Sequence, residues 1–283
     1  MAVRIVTDST CDLPPEILKE LDITVMPIYL LFGTDSYREG IDIDTNKFYQ
    51  KLLHGSVYPT TSQPTPQDFR VAYKALAESG ADGIICIHVS SKLSGAINAA
   101  EQAKKNPLPA IPIEVIDSQT LSLSLGVVVV AAARLAKMGK GLAEIAEAVR
   151  RIVTRNKVLI MFDTLEYLAK GGRIGKAHSL LGAILSVKPL VTVKDGELVP
   201  SCQARSRSKG KEKLLEFVNS FTDAADVFVA YSTTPDEARE LADRITVCPP
   251  ENIRTGQVGP VIASHGGPGL LGIAVRLKSP PLD

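Results

Sequence analysis

The sequence has no tryptophan, and aromatic residues make up only 5% of its 283 positions. Proteins that stack the bases of RNA or single-stranded DNA need aromatic platforms. A formal net charge of +1 gives no global attraction to nucleic acid or to an anionic membrane surface. The four cysteines, Cys11, Cys86, Cys202 and Cys248, are far apart and form no C-x-x-C pair, which predicts free thiols in a reducing compartment. The opening MAVRIVTDST lacks the basic region, long apolar core and cleavage site of a secretory signal. The longest apolar run, LGVVVVAAARLA (125–136), falls short of the roughly 20 residues that span a bilayer and predicts a buried helix. These absences predict a cytoplasmic protein with no stable membrane anchor.

Catalytic signatures are missing too. No G-x-S-x-G elbow, H-E-x-x-H or Cys/His metal spacing occurs. KGGRIGKA is one residue short of a phosphate-binding P-loop, with Ala177 where Ser or Thr is needed.

What is present is alternation. VRIVTD (3–8), ITVMPIYLLF (23–32), GIICIHV (83–89) and IEVIDS (113–118) read as strands covered on both faces, being almost continuously apolar. FRVAYKALAES (69–79) reads as an amphipathic helix started by Thr65, Pro66 and Asp68, and GAINAAEQAKK (95–105) as a helix with Ser94 at its N-cap. This alternation predicts a largely parallel wound sheet. After about residue 157 the pattern changes. VLIMFDT (158–164), a hairpin at 190–203 turning on Asp195–Gly196, DVFVAYST (226–233), the helix 235–245 and VGPVIASH (258–265), read as a strand, predict a second α/β unit with antiparallel pairs. The expected domains are 1–156 and 157–283.

Ligands of open α/β sheets bind beyond the carboxyl ends of the strands. Hydroxyls gather there: Thr7, Ser9 and Thr10 after the first strand, Ser90, Ser91 and Ser94 after the third, and Ser118 after the fourth. The loop PTTSQPTP (59–66) is positioned to join them. Ser94 and Gly95 open a helix whose free N–H groups attract an anion. His54, His88 and His178 have no catalytic neighbours in sequence, whereas His265 precedes a Gly-rich turn and could reach a ligand.

IVTDSTCDLP (5–14), ITVMPIYLLFG (23–33), YPTTSQPTP (58–66), HVSSKLSGAINAA (88–100), VIDSQTLSLSLG (115–126), DTLEYLAKGGRIGKA (163–177), KPLVTVKDGELVP (188–200) and GPVIASHGGPG (259–269), in this order, resemble the DegV family of bacterial fatty-acid-binding proteins. The resemblance spans essentially the whole chain. It implies a two-domain α/β fold with an acyl chain, such as palmitate, buried between or within the domains; the apolar stretches 125–136 and LLGAILSV (180–187) are the candidate walls of such a tunnel. It further implies a carboxylate held by Thr61 and Ser94, with Ser62, Gly95, His265 and Gly266 near the head group. Ser9 joins this set from the first hydroxyl cluster. The implied protein is not itself an enzyme and uses no cofactor or metal. It presents its fatty acid to a separate kinase subunit, which makes acyl phosphate for lipid metabolism. Arg173 and Arg205 are associated with that kinase step rather than with lipid retention.

Two departures stand out. SHGGPG has Gly267 where the family carries a branched residue, which predicts a looser head-group loop. The stretch after the hairpin, CQARSRSKGKEK, is irregular, so Arg207 competes with Arg205 for the docking role. Two other functions compete with the leading one. One is a stand-alone phosphotransferase or esterase. The other is a regulatory nucleic-acid-binding module using RSRSKGKEK (205–213).

Overall fold

The computed structural model describes residues 2–105, 111–180 and 187–278. The chain begins with β1 (Val3–Asp8), almost wholly buried, then α1 (Pro15–Glu20) and β2 (Ile23–Met26). Pro27 follows β2, and with no N–H to offer it cannot extend the ladder. The chain crosses instead into a different sheet with β3 (Tyr29–Phe32) and β4 (Asp35–Arg38). The single strand expected over 23–32 is therefore two strands.

Next come α2 (Thr45–His54), β5 (Thr60–Ser62), α3 (Pro66–Glu78), β6 (Gly83–His88), α4 (Ala96–Lys105), β7 (Ile113–Asp117), α5 (Ser122–Lys137) and α6 (Leu142–Thr154). The expected start of α3 is present as a reciprocal box. Asp68 N–H donates to Thr65 Oγ1 at 3.2 Å, and Thr65 N–H donates to the Asp68 carboxylate at 2.7 Å. The expected Ser94 cap is shifted by one residue. The Gly95 carbonyl accepts the first bond of α4, from Ala99 N–H at 3.0 Å, so Gly95 is the cap and Ser94 precedes it. Strands β2-β1-β6-β7 form a wholly parallel sheet, and β4-β3-β5 a small antiparallel one.

The second half contains β8 (Asn156–Met161), α7 (Glu166–Lys170), β9 (Lys188–Lys194), β10 (Glu197–Ala204), α8 (Arg207–Asn219), β11 (Ala224–Tyr231), α9 (Pro235–Asp243), β12 (Ile253–Gln257), α10 (Pro260–Gly266) and β13 (Leu271–Leu277). Its strands form one six-stranded mixed sheet in the order β10-β9-β8-β13-β11-β12. Asp195 and Gly196, at φ 52° and 78°, make the tight turn between β9 and β10, as the Asp-Gly pair demands. The mixed α/β architecture expected from the sequence is the one observed.

Two further expectations need correction. VGPVIASH is not a strand. Gly259 caps α10 and Pro260 occupies its first position, where a missing N–H costs nothing. The apolar stretch 125–136 lies in α5, but Leu125, Val128, Val129 and Ala132 pack into the core beside β1 and β6 rather than around the site described below. The other expected ligand wall, 180–187, falls largely on residues 181–186, outside the described residues. Among the described residues no helix is long and apolar enough to cross a membrane.

The short helix α10 is held from the first half of the chain. Gly259 N–H donates to Asp12 Oδ1 and Val261 N–H to Glu39 Oε1, both at 2.9 Å. Burial is the main reason the Asp12 carboxyl is held well above the ordinary range and Glu39 is raised from 4.5 to about 7. For Glu39 the folded state keeps its proton between about 4.5 and 7 while the unfolded state loses it. This contribution is therefore full below 4.5 and is lost as pH rises through 7. Glu39→Gln keeps an acceptor for Val261 and removes the titration. Denaturant unfolding as a function of pH should show on the order of 3 kcal/mol less pH-dependent loss in the variant across this window. Identical pH profiles would contradict the assignment.

Candidate functional site

The site lies where β5, the turn before α4, the end of α7 and the end of α10 converge. β5 aligns Thr61 with Leu30 of β3. Successive residues of a strand face opposite ways, so Thr61 reaches the cavity wall while its neighbours Thr60 and Ser62 are exposed. Thr61 Oγ1 lies 2.8 Å from His265 Nε2. Ser94 lies on the same wall, its Oγ accepting from Ala96 N–H at 3.2 Å. Gly95 is a place of close approach, because a Cβ there would sit 2.9 Å from the Gln63 amide, itself a wall residue.

Arg173 completes the cluster. Its Nη1 donates to the Gly171 carbonyl at 2.7 Å and its Nε to the Leu93 carbonyl at 3.2 Å, next to Ser94. Five N–H donors on a guanidinium leave three uncommitted. The sequence pointed to Arg173 as a docking residue, but the structure sets it in the cavity wall, the only charged side chain there among the described residues. The rest of the wall is largely apolar, with Val158, Ile160, Phe162 and Ala274 from the six-stranded sheet and Val261 and Leu270 from α10 and its exit. The cavity measures about 90 Å³, below the roughly 300–1,000 Å³ of pockets for drug-sized ligands. A long chain can enter only as these Val, Leu and Ile side chains turn aside.

His265 is neutral at physiological pH. Burial, reinforced by the Arg173 charge, lowers it from 6.5 to about 4. Its Nδ1 is buried without a hydrogen-bond partner. An orphaned N–H is rarer in folded proteins than an orphaned acceptor, so we assign the ring proton to Nε2. Nε2–H then donates to Thr61 Oγ1, and the Thr61 hydroxyl proton is free to donate to a ligand anion. Tyr58 fixes the two helices that frame this pair. Its hydroxyl is shared between the carbonyls of Tyr167, at 2.8 Å, and Ser264, at 2.9 Å.

Gly171 is required by the same packing. A Cβ there would fall on His265 Nδ1, 2.8 Å from Cε1. Gly171→Ala should expel the imidazole and return its pKa from about 4 toward 6.5, as followed by NMR of the ring protons. A titration that stays near 4 would refute this. Gly267 has φ +74°, and a side chain would meet the Tyr167 ring 2.7 Å from its Cγ. Gly267 is itself the first residue of the GPG turn, so the departure falls at Gly266, where a Cβ would meet Leu270 Cδ1.

The remaining expected residues divide. Gly266 lines the cavity with His265. Ser62 points away, and Ser9 is not on the wall: its Oγ accepts from Ile28 N–H at 3.0 Å and it borders a separate groove. Other hydroxyls tie distant loops together, as with Ser90 donating to the Gly196 carbonyl at 2.6 Å and Ser91 to Asp117 at 2.6 Å. His88 is fully buried, its Nδ1 3.0 Å from Asp8 Oδ2. Thr10, from the first hydroxyl cluster, is on the wall, and the polar wall residues not singled out from the sequence are Gln63, Ser122 and Ser124. Among the described residues no group of three or more His, Cys, Asp or Glu is placed to hold a metal ion.

From Arg207 onward the basic stretch 205–213 is paired internally. Arg207 binds Glu237 and Asp163, Lys209 binds Glu212, Lys211 binds Glu240 and Lys213 binds Glu216. A row of neutralised charges does not form a phosphate stripe. Arg205 is exposed and makes no hydrogen bond or ion pair among the described residues, whereas Arg207 is committed to Glu237 and Asp163.

Comparison with known proteins places this geometry. A family model described as "Uncharacterised protein, DegV family" matches residues 2–278. A DegV domain-containing protein of Streptomyces coelicolor is 37% identical over 280 residues, covering 98% of this chain and 99% of the relative. The solved DegV family protein of Thermus thermophilus, described by its fatty acid binding, is 33% identical with a TM-score of 0.90, over 98% of this chain and 100% of that one. The DegV protein of Bacillus subtilis, described as a fatty acid binding protein, is 29% identical with a TM-score of 0.87, over 98% and 100% of the two chains.

Proposed function

The chain belongs to the DegV family, and on that premise we propose that it binds a long-chain fatty acid without covalent attachment and offers the carboxylate to a separate kinase subunit for acyl-phosphate formation. The observation that carries this reading is a largely apolar cavity with a single charged wall residue, Arg173, beside the hydroxyls of Thr61 and Ser94. A monoanionic head on an apolar tail is the ligand class that such a wall complements. A palmitoyl tail offers about fourteen buriable methylenes at roughly 0.8 kcal/mol each, or about 11 kcal/mol gross. Its carboxylate adds roughly 1.5–3 kcal/mol per hydrogen bond. The tail supplies affinity, and Thr61, Ser94 and Arg173 set which end faces outward.

The Thr61–His265 contact also supports a second reading, an esterase with threonine as nucleophile. The chemistry opposes it. A general base works best with a pKa near the operating pH, and His265 is depressed to about 4 with Arg173 disfavouring its protonation. Its Nδ1 has no carboxylate to orient it or to stabilise an imidazolium.

Calorimetry with palmitate and with hexadecanol, which has the same tail and no charge, tests the reading. Palmitate should bind at least tenfold more tightly, and equal affinities would overturn it. Arg205 serves the kinase half of the proposal. Arg205→Glu should leave lipid content and melting temperature unchanged while slowing acyl-phosphate formation by a cognate kinase. Unchanged turnover would remove Arg205 from the interface.

A further inference from the structure

A second and larger space, about 990 Å³, runs along α5. Among the described residues, Leu123 alone borders both it and the first cavity. One wall is apolar. α5 is hydrophobic on more than the face that packs into the core, and Val127, Val130 and Ala131 turn into this groove beside Leu13 and Ile17 near α1. A helix apolar nearly all round calls for a partner on each face, and here the second face meets open space.

The opposite wall is basic and aromatic. Along the sheet Phe228 pairs with Arg254 and Asp226 with Arg276. The Arg254 guanidinium lies 5.6 Å from the Phe228 ring centre. Arg276 Nε donates to Asp226 at 2.7 Å, and Arg254 stands 3.7 Å from the same carboxylate. Two cations share one anion, so one positive charge is left over. Arg134 of α5 faces the same groove and has no ion pair among the described residues. Asp12, Glu39, Asp44 and Arg151 also line the groove. Burial holds Asp12 and Glu39 toward their protonated forms, Asp44 faces Lys47 at 3.8 Å and Arg151 pairs with Glu147. The groove thus joins an apolar floor to a rim on which Arg134 and Arg254 are the cations left to a ligand.

We propose that this groove is a second ligand site, for an anionic amphiphile whose carboxylate or phosphate meets Arg254 and Arg134 and whose apolar body lies along Val127, Val130 and Leu13. The site is independent of the head-group cluster at Thr61, and the proposal does not need that cluster to hold a fatty acid.

The test is a titration of the full chain with palmitate and, separately, with dodecyl phosphate, read by native mass spectrometry and calorimetry. The wild type should take up two equivalents of at least one probe, and the tighter probe identifies the head group. Thr61→Val with Ser94→Ala should leave one equivalent bound. Adding Arg134→Ala and Arg254→Ala should weaken that equivalent at least tenfold. Both arginines are exposed, so the fold should survive, and an unchanged melting temperature verifies this. Val130→Glu, which places a like charge on the apolar floor, should weaken the same equivalent with the arginines intact. Dodecyltrimethylammonium, of opposite charge, should not occupy the site. A single equivalent in the wild type overturns the proposal, as does a remaining equivalent indifferent to the arginine pair and to Val130→Glu. Loss of all binding in the Thr61 and Ser94 variant would show the groove to be only an extension of the first cavity.

Discussion

Replacing Thr61 by Val and Ser94 by Ala together should weaken palmitate binding by roughly 2–5 kcal/mol, or about 30- to 4,000-fold, while far-UV circular dichroism stays unchanged. Thr61 has its lone pair engaged by His265 Nε2 at 2.8 Å, which leaves its proton for the ligand. Ser94 Oγ accepts from Ala96 N–H, which leaves its proton free in the same way. Both hydroxyls are therefore set as donors. The valine is nearly isosteric with threonine, so the change removes donors without opening a cavity. Affinity for hexadecanol should move much less, because an uncharged head gains less from either donor. Equal losses for the acid and the alcohol would mean that the variant damages the tail cavity instead.

Arg173→Met should have an effect of similar size, roughly 2–5 kcal/mol, with a different signature. Methionine keeps the length and apolar character of the stem. The bound carboxylate then sits in an apolar cavity with no cation, which raises its pKa. Binding becomes coupled to proton uptake, so the variant should bind palmitate more tightly as pH falls from 8 to 6, whereas the wild type should change little. His265 should titrate higher in the variant, since the Arg173 charge helps to lower its pKa. A variant that retains palmitate at wild-type strength but fails in kinase turnover would return Arg173 to the docking role that the sequence resemblance implies.

The two arginines illustrate what the sequence could show. Arg173 and Arg205 look alike as residues beside turns. Their separation arises from tertiary contact: the end of α7 meets the Leu93 carbonyl and closes the cavity, while Arg205 remains on the surface. No periodicity carries that information. Strands β1 and β6 were legible because burial on both faces forces continuous apolar runs, whereas β7, half-buried at the sheet edge, was legible from its β-branched residues. The hairpin was legible because only a few residue pairs tolerate two positive φ values in succession.

The misread segments have local explanations. β-Branched Val261 and Ile262 suggested a strand, but Gly259 followed by Pro260 starts a helix, and that start signal prevails. Pro27 divides what looked like one strand into members of two sheets. Of the hydroxyls named from the sequence, Thr61 and Ser94 lie on the cavity wall, while Ser9 was drawn to the backbone of Ile28. Whether a hydroxyl serves a ligand or a turn depends on which backbone groups the fold leaves unpaired.

The central claim is that the cavity holds a long-chain fatty acid by its carboxylate. Mass spectrometry of the purified protein, first native and then after solvent extraction, tests it most directly. The account predicts a non-covalent adduct that extraction releases as an unmodified long-chain fatty acid, and that added palmitate restores to the delipidated chain. A spectrum showing only the mass of the polypeptide, unchanged by palmitate, would contradict it.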